Sequence, residues 1–234
     1  ILKTRESPFK KSISIYIILG AVFFSLDLWF WHRSITYIGP GLSTLLANFQ
    51  ILILPFLAFI FFNQQTNKIQ IFSIFLGLLG LFMITQRNWG MSGYDYKMGI
   101  LFGLLTAVSY AGYIISMKRI DYNAEVNSDP VFNLMFVSLI SAGLLFLFSI
   151  IEQQPLVIKS FSNLIWMICY GFFSHVLGWF FILNGLQKIS AVSASIILLT
   201  QPILSYLWDI LMFQKVIHSI EFLGIVSVLL AMII

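Results

Sequence analysis

The chain has 234 residues, of which 59% are hydrophobic and 9% charged, against roughly 25% charged residues in a soluble domain. That composition excludes a water-soluble globular protein. The formal net charge of +4 comes without a basic stripe interleaved with aromatics, which excludes nucleic acid as a partner.

Eight apolar stretches are long enough to be read as spans, since crossing about 30 Å of hydrocarbon takes about 20 helical residues. They fall at 12–34, 41–62, 69–86, 97–117, 131–151, 161–183, 190–212 and 217–234. Runs such as LLANFQILILPFLAFIFF lack the alternation of a barrel strand. The expected fold class is therefore all-α, a polytopic membrane helical bundle. Little chain remains for any domain outside the membrane.

The opening segment, ILKTRESPFKK, is basic, lacks signal-peptide architecture and begins on Ile. The chain is expected to start partway into a longer protein. With this segment on the cytoplasmic side, the thirteen Lys and Arg divide eight inside to five outside, in the sense of the positive-inside rule.

The first span carries SLDLWFWHRSI at 25–35, an ionisable run within an oily helix. At helical spacing Asp27, Trp31 and Ser34 share a face, with Gly20 beside them. Asp27 is either a structural charge paired inside the bundle or a residue facing a substrate cavity. Its depth, ~24 Å of helix beyond Lys11, favours the cavity, because ionisable groups at membrane depth mark pathways and proton relays. His32 and Arg33 point away from that face, near the outer border, and read as interfacial or snorkelling side chains.

Gly39-Pro40-Gly41 marks a turn before the second span. That span holds Asn48 and Gln50 near its middle, where an unpaired amide is costly, and Pro55, which loosens the backbone. Each amide bonds either across helices or to a ligand. In the third span Gly77 and Gly80, and in the fourth Gly99, Gly103, Ala107 and Ala111, form small-residue seams for close helix approach.

The sixth span puts His175 one turn before Trp179, with Gly171 and Ile182 on the same face and Asn184 at its end. His175 is read as either a satisfied core histidine or a cavity group suited to proton coupling. The seventh span carries Gln201 next to Pro202, with Trp208 and Asp209 near its interfacial end. Cys169 is alone in mid-span and makes neither an internal disulfide nor a metal cluster.

The two halves repeat. Residues 30–62 set against 181–213 align Ile38 with Ile189, Gln50 with Gln201 and Phe62 with Phe213, and glycine-bearing helices follow around Gly77 and Gly224. The His175/Trp179 pair matches Asp27/Trp31 at a shift of 148 where the glutamines match at 151, a similarity of design rather than strict equivalence. The second copy has two further helices in front, so five per repeat would make ten, with two absent here. An odd number per repeat inverts the second copy in the membrane.

An aromatic span, a short turn with small residues, a span with a central polar residue and a glycine-bearing last span, given twice, resemble the EamA-type transporters of the drug/metabolite transporter superfamily. The resemblance implies helices three to ten of inverted five-helix repeats, with 1–90 closing the first repeat and 91–234 forming the second, and cytoplasmic ends. The family commonly ends its fourth and ninth helices with Gly-Glu. The corresponding places here are near Gln64 and Lys215, so no role is carried over to them.

No metalloprotease, nucleophile-elbow or P-loop motif is present in the sequence, and no enzyme and no cofactor are expected. The expected function is secondary-active transport of a small polar metabolite (amino acid, amine or drug-like cation) by alternating access, with proton coupling open. The alternative is intramembrane lipid handling, by a head-group transferase or flippase, which the scarcity of Lys and Arg inside the spans disfavours. The candidate substrate-binding residues are Asp27, Trp31, Asn48, Gln50, His175, Trp179, Asn184 and Gln201. Expected partners are the small-molecule substrate, membrane lipid and a proton, with a homodimer open. The expected location is a bacterial plasma (inner) membrane.

Overall fold

The structure, a computed structural model, describes residues 14–85, 93–122, 130–201, 203–204, 211 and 218–233. Among these every regular element is a helix: α1 Ile15–Ala47, α2 Gln50–Phe62, α3 Lys68–Thr85, α4 Tyr94–Tyr122, α5 Pro130–Ile151, α6 Phe161–Tyr170, a π-helical segment Gly171–Gly178, α7 Trp179–Leu186, α8 Ala191–Ile197 and α9 Ser219–Ile233. Four stretches are long and apolar enough to cross a membrane: Ile15–Pro40, Tyr94–Ile120, Val131–Ile151 and Phe161–Leu186. Three shorter apolar helices accompany them. The basic opening segment, Pro202, Trp208, Asp209 and Lys215 lie outside the described residues.

Helix starts follow local chemistry. α3 opens on a reciprocal capping box, in which Gln70 N–H donates to Asn67 Oδ1 (2.7 Å) and Asn67 N–H to Gln70 Oε1 (3.0 Å). Ser160 accepts from Asn163 N–H before α6, and Ser190 from Ser193 N–H before α8. Glu221 accepts from His218 N–H at the start of α9.

The first expected turn is instead a kink. Gly39 takes φ 77°, a left-handed value that only glycine adopts freely, and Pro40 then restarts the helix where its missing N–H costs nothing. Thr44 Oγ1 donates back to the Pro40 carbonyl (2.7 Å) and Ser43 Oγ to that of Gly39 (2.7 Å). The first two expected spans thus join in α1, and the second is broken about two and a half turns beyond the kink, at residues 48–49.

The chain divides into two compact units. One comprises 1–25 and 116–188, the other 26–115 and 189–234. Neither is one of the sequence repeats, since each takes segments from both halves.

In the unit of 26–115 and 189–234, α3 packs along α9, and α2 packs on α8. The α3–α9 approach depends on glycine: a Cβ at Gly80 would lie 2.6 Å from the Gly224 carbonyl oxygen and 2.7 Å from Val228 Cγ2. A Cβ at Gly77 would lie 2.6 Å from Leu199 Cδ1. On α4, Gly103 faces Leu46 and Gly99 faces Ile38 in the same way, and Ala107 and Ala111 are fully buried. The small-residue seams are packing surfaces.

In the unit of 1–25 and 116–188, Ser141 Oγ of α5 donates to the Ala21 carbonyl of α1 (3.1 Å), and α5 packs on α7. Lys118 Nζ, at the end of α4, donates to the Leu186 carbonyl at the end of α7 (2.6 Å). There it caps a helix C-terminus, where a cation is favoured. α6 has no buried residue, and its Trp166 and Ile168 are well exposed. Such a surface suits lipid.

Candidate functional site

Asp27 sits in the unit of 26–115 and 189–234. It is half-buried, and its carboxylate is near enough to Tyr110 and Tyr113 of α4 to interact with them electrostatically. Both tyrosines are buried. The Gln201 side chain, beyond α8, approaches the Tyr110 hydroxyl. The fold therefore gathers a carboxylate, two phenols and an amide from α1, α4 and the segment after α8.

The rest of the polar face of α1 has another use. Ser34 is fully buried, and its hydroxyl lies 2.9 Å from both Ser43 Oγ and the Gly99 carbonyl, one proton shared between two acceptors. Ser34 thus ties the kinked helix to α4, while Asp27 and Trp31 remain half-buried. Trp31 meets the His32 ring edge-on at 5.2 Å. His32 is exposed and donates from Nδ1 to the Leu28 carbonyl (2.7 Å). Arg33 does not simply extend toward a border: its guanidinium lies over the Trp29 ring at 4.8 Å and within 5.9 Å of Phe102.

Asn48 and Gln50 flank the helix break. Here the backbone tightens into three-residue turns, with Phe49 N–H bonded to the Leu46 carbonyl (3.0 Å) and Ile51 N–H to that of Asn48 (3.1 Å). The second copy does the same: Leu199 N–H reaches the Ile196 carbonyl and Gln201 N–H that of Leu198, both at 3.1 Å. Both repeats thus interrupt a span just before or at the aligned glutamine. The side chains differ. Asn48 and Gln50 are 4% and 2% exposed, whereas Gln201 is exposed.

Asn48 Nδ2 donates to the Thr44 carbonyl (2.8 Å). A carbonyl can only accept, so the amide orientation is fixed and Oδ1 points the other way. Among the described residues neither Asn48 Oδ1 nor Gln50 Oε1 has a hydrogen-bond partner.

The second group lies in the unit of 1–25 and 116–188. His175 sits within the π-helical segment, a form frequent at functional sites. Its Nε2 is 2.8 Å from Ser138 Oγ of α5, and that hydroxyl already donates to the Leu134 carbonyl (2.6 Å). With that proton on the Leu134 carbonyl, Nε2 is the donor to Ser138 Oγ. Phe24 packs on His175 (5.4 Å) and edge-on to Trp179 (5.2 Å). Asn184 turns back on its own helix, Nδ2 donating to the Phe180 carbonyl (2.7 Å).

The loop after α2 holds a further contact. Asn63 ends α2 at φ 53°, a left-handed position, and Gln64 Oε1 accepts from Ala191 N–H (3.2 Å), the first residue of α8. Asparagine tolerates the left-handed backbone, and the glutamine oxygen serves as acceptor, a contact that joins α2 to α8.

Residues 97–234 match the EamA-like transporter family. That is more than half of the chain. The protein belongs to the EamA-like transporter family. An uncharacterized transporter of Clostridium kluyveri is 26% identical over 220 residues, covering 92% of this chain and 69% of that one. A second, described as an uncharacterized transporter in the sor 3' region of Acidianus ambivalens, is 26% identical over 115 residues, 48% of this chain and 44% of its own length. A solved crystal structure superposes with a TM-score of 0.77 over 97% of this chain and 76% of that one, at 15% identity, which speaks to the fold alone. This EamA-like chain is an integral membrane protein and a membrane transporter.

Sequence reading missed Tyr110, Tyr113 and Ser138. The signal was there for the tyrosines: Thr106, Tyr110 and Tyr113 recur at helical spacing along the seam of α4. Glycines and alanines on the same helix drew the attention to packing instead.

Proposed function

We propose that this transporter is a secondary-active carrier of a small polar metabolite, an amino acid, amine or drug-like cation, working by alternating access with proton coupling through Asp27, in a bacterial plasma membrane. The observation that carries the reading is half-buried Asp27 within electrostatic reach of Tyr110 and Tyr113, with Gln201 approaching Tyr110. A carboxylate within a span is costly and marks a pathway by default. Phenols and an amide beside it supply both donors and acceptors for a polar ligand. Trp31, on the same helix as Asp27, adds an indole face that attracts cations.

Lipid handling has less support. A head-group site needs free basic side chains, and here Lys118 is bonded to the Leu186 carbonyl and Arg33 is stacked over Trp29. A thermal-shift screen of the full-length protein against amino acids, primary and quaternary amines and cationic drugs tests the proposal. At least one class should raise the melting temperature in a dose-dependent way that Asp27→Asn abolishes. Stabilisation by anionic lipid head groups alone would favour the lipid reading instead.

A further inference from the structure

The sixth span changes its hydrogen-bond register in the middle. Between α6 and α7, Gly171–Gly178 is π-helical over eight residues, whereas the π form usually appears as a single-turn bulge inside an α-helix, often at a functional site. A glycine stands at each end, and neither is required by shape. Gly171 has φ −59° and Gly178 φ −60°, right-handed helical values that any residue adopts. A Cβ at Gly171 would meet nothing within 4 Å, and one at Gly178 only the Phe173 carbonyl oxygen at 3.5 Å, in contrast to the crowded Gly77, Gly80, Gly99 and Gly103. What glycine still supplies at these two positions is backbone freedom, which weakens a helix relative to alanine.

The contacts around the segment are one-sided. No residue of 171–178 is buried, and Phe172, Phe173 and Val176 are exposed. On the other side His175 Nε2 lies 2.8 Å from Ser138 Oγ of α5, and Phe24 of α1 packs on His175 and meets Trp179 edge-on. We propose that Gly171–Gly178 is a hinge, latched by the His175–Ser138 hydrogen bond, at which α7 turns relative to α6 as residues pass between π and α register.

The register supplies the motion. A π turn spans one residue more than an α turn between the carbonyl and the N–H that close it, so each residue that changes form alters the twist between the two ends of the span. α7 then rotates about its axis and carries Trp179 away from Phe24. Small residues at the ends of a moving element absorb the change in backbone angles, which is where the two glycines stand. The inference deepens the carrier reading and rests on it, since alternating access requires a change of shape within the membrane.

The test is pulsed EPR on the full-length protein in liposomes, in a cysteine-free background that includes Cys169→Ser. Spin labels at Phe161→Cys and Phe181→Cys, exposed positions on either side of the segment, are separated by about 30 Å of helix. The labelled protein should give two distances. Ser138→Ala, which removes the latch, should raise the minor-to-major ratio about two- to tenfold, as expected for one lost hydrogen bond. Gly171→Ala combined with Gly178→Ala should leave a single distance, with the melting temperature unchanged or raised. A single distance in the labelled protein overturns the proposal, as does a distribution that either variant leaves unchanged. A fall in melting temperature in the double glycine variant also overturns it, because the glycines would then be making room for a neighbouring helix. Uptake of the amino acids and amines of the thermal-shift screen, measured in proteoliposomes, separates the two readings. The double glycine variant should lose about fivefold or more of the maximal rate, whereas Gly143→Ala, which also has room for its methyl but lies in regular α-helix, should lose none. An unchanged rate in the double glycine variant removes the hinge and leaves the carrier standing. No uptake of any of these compounds by the unmodified protein removes the carrier reading, while the EPR distances still decide the hinge.

Discussion

His175 has a hydrogen-bond geometry that bears on its protonation. With the Ser138 proton on the Leu134 carbonyl, the imidazole presents Nε2–H to Ser138 Oγ. ¹⁵N NMR of histidine-labelled protein should show Nε2 of His175 protonated, and Ser138→Ala should remove that preference. A dominant Nδ1–H signal in the unmodified protein would contradict the hydrogen-bond assignment. Trp31 is half-buried and meets the His32 ring edge-on, and its indole face is worth about 0.5–2 kcal/mol to a bound cation. Trp31→Ala should raise the apparent KM for uptake about two- to thirtyfold while leaving the dependence on the pH gradient intact. An unchanged KM would take Trp31 out of the site. The presence of a charge at 27 and amides at 48 and 50 was legible in the sequence, because polar residues stand out in an apolar span. Their partners were not, because these come from helices distant in sequence.

At the scale of elements, glycine decides how closely helices approach. Gly80→Ala would drive a methyl into the Gly224 carbonyl and Val228, a contact that the backbone of α9 can relieve only by moving away. The cost should be about 1–3 kcal/mol, a fall in melting temperature of roughly 2–10 °C for a chain of this size. Gly143→Ala on α5 meets nothing within 4 Å and should be neutral or slightly stabilising, as alanine is the better helix former. Equal effects from the two substitutions would contradict the α3–α9 seam. Gln64 acts on a different junction. Its bond to Ala191 N–H satisfies a donor that the start of α8 leaves open, so Gln64→Ala should destabilise by about 1 kcal/mol and Gln64→Glu should not. The helices and their small-residue seams were readable from apolar runs and Gly spacing. The kink at Gly39 and the breaks at 48–49 and 198–199 were not, because Gly-Pro-Gly permits both a turn and a kink, and nothing in an apolar run announces a three-residue turn.

For the molecule as a whole, repeat and compact unit are different partitions. The halves aligned by Gln50 and Gln201 are each shared between the unit of 1–25 and 116–188 and that of 26–115 and 189–234. The second copy has a non-helical stretch at 187–190 that joins α7 to α8, where the first copy continues through the Gly39 kink. The account turns on Asp27, and uptake into proteoliposomes with and without an imposed pH gradient tests it most directly, using the full-length protein and a substrate from the thermal-shift screen. The gradient should drive uptake by the unmodified protein, and Asp27→Asn, which keeps the shape and removes the charge, should cut uptake at least tenfold or abolish its response to the gradient. Uptake by Asp27→Asn at the unmodified rate across pH, with folding and expression unchanged, would contradict it.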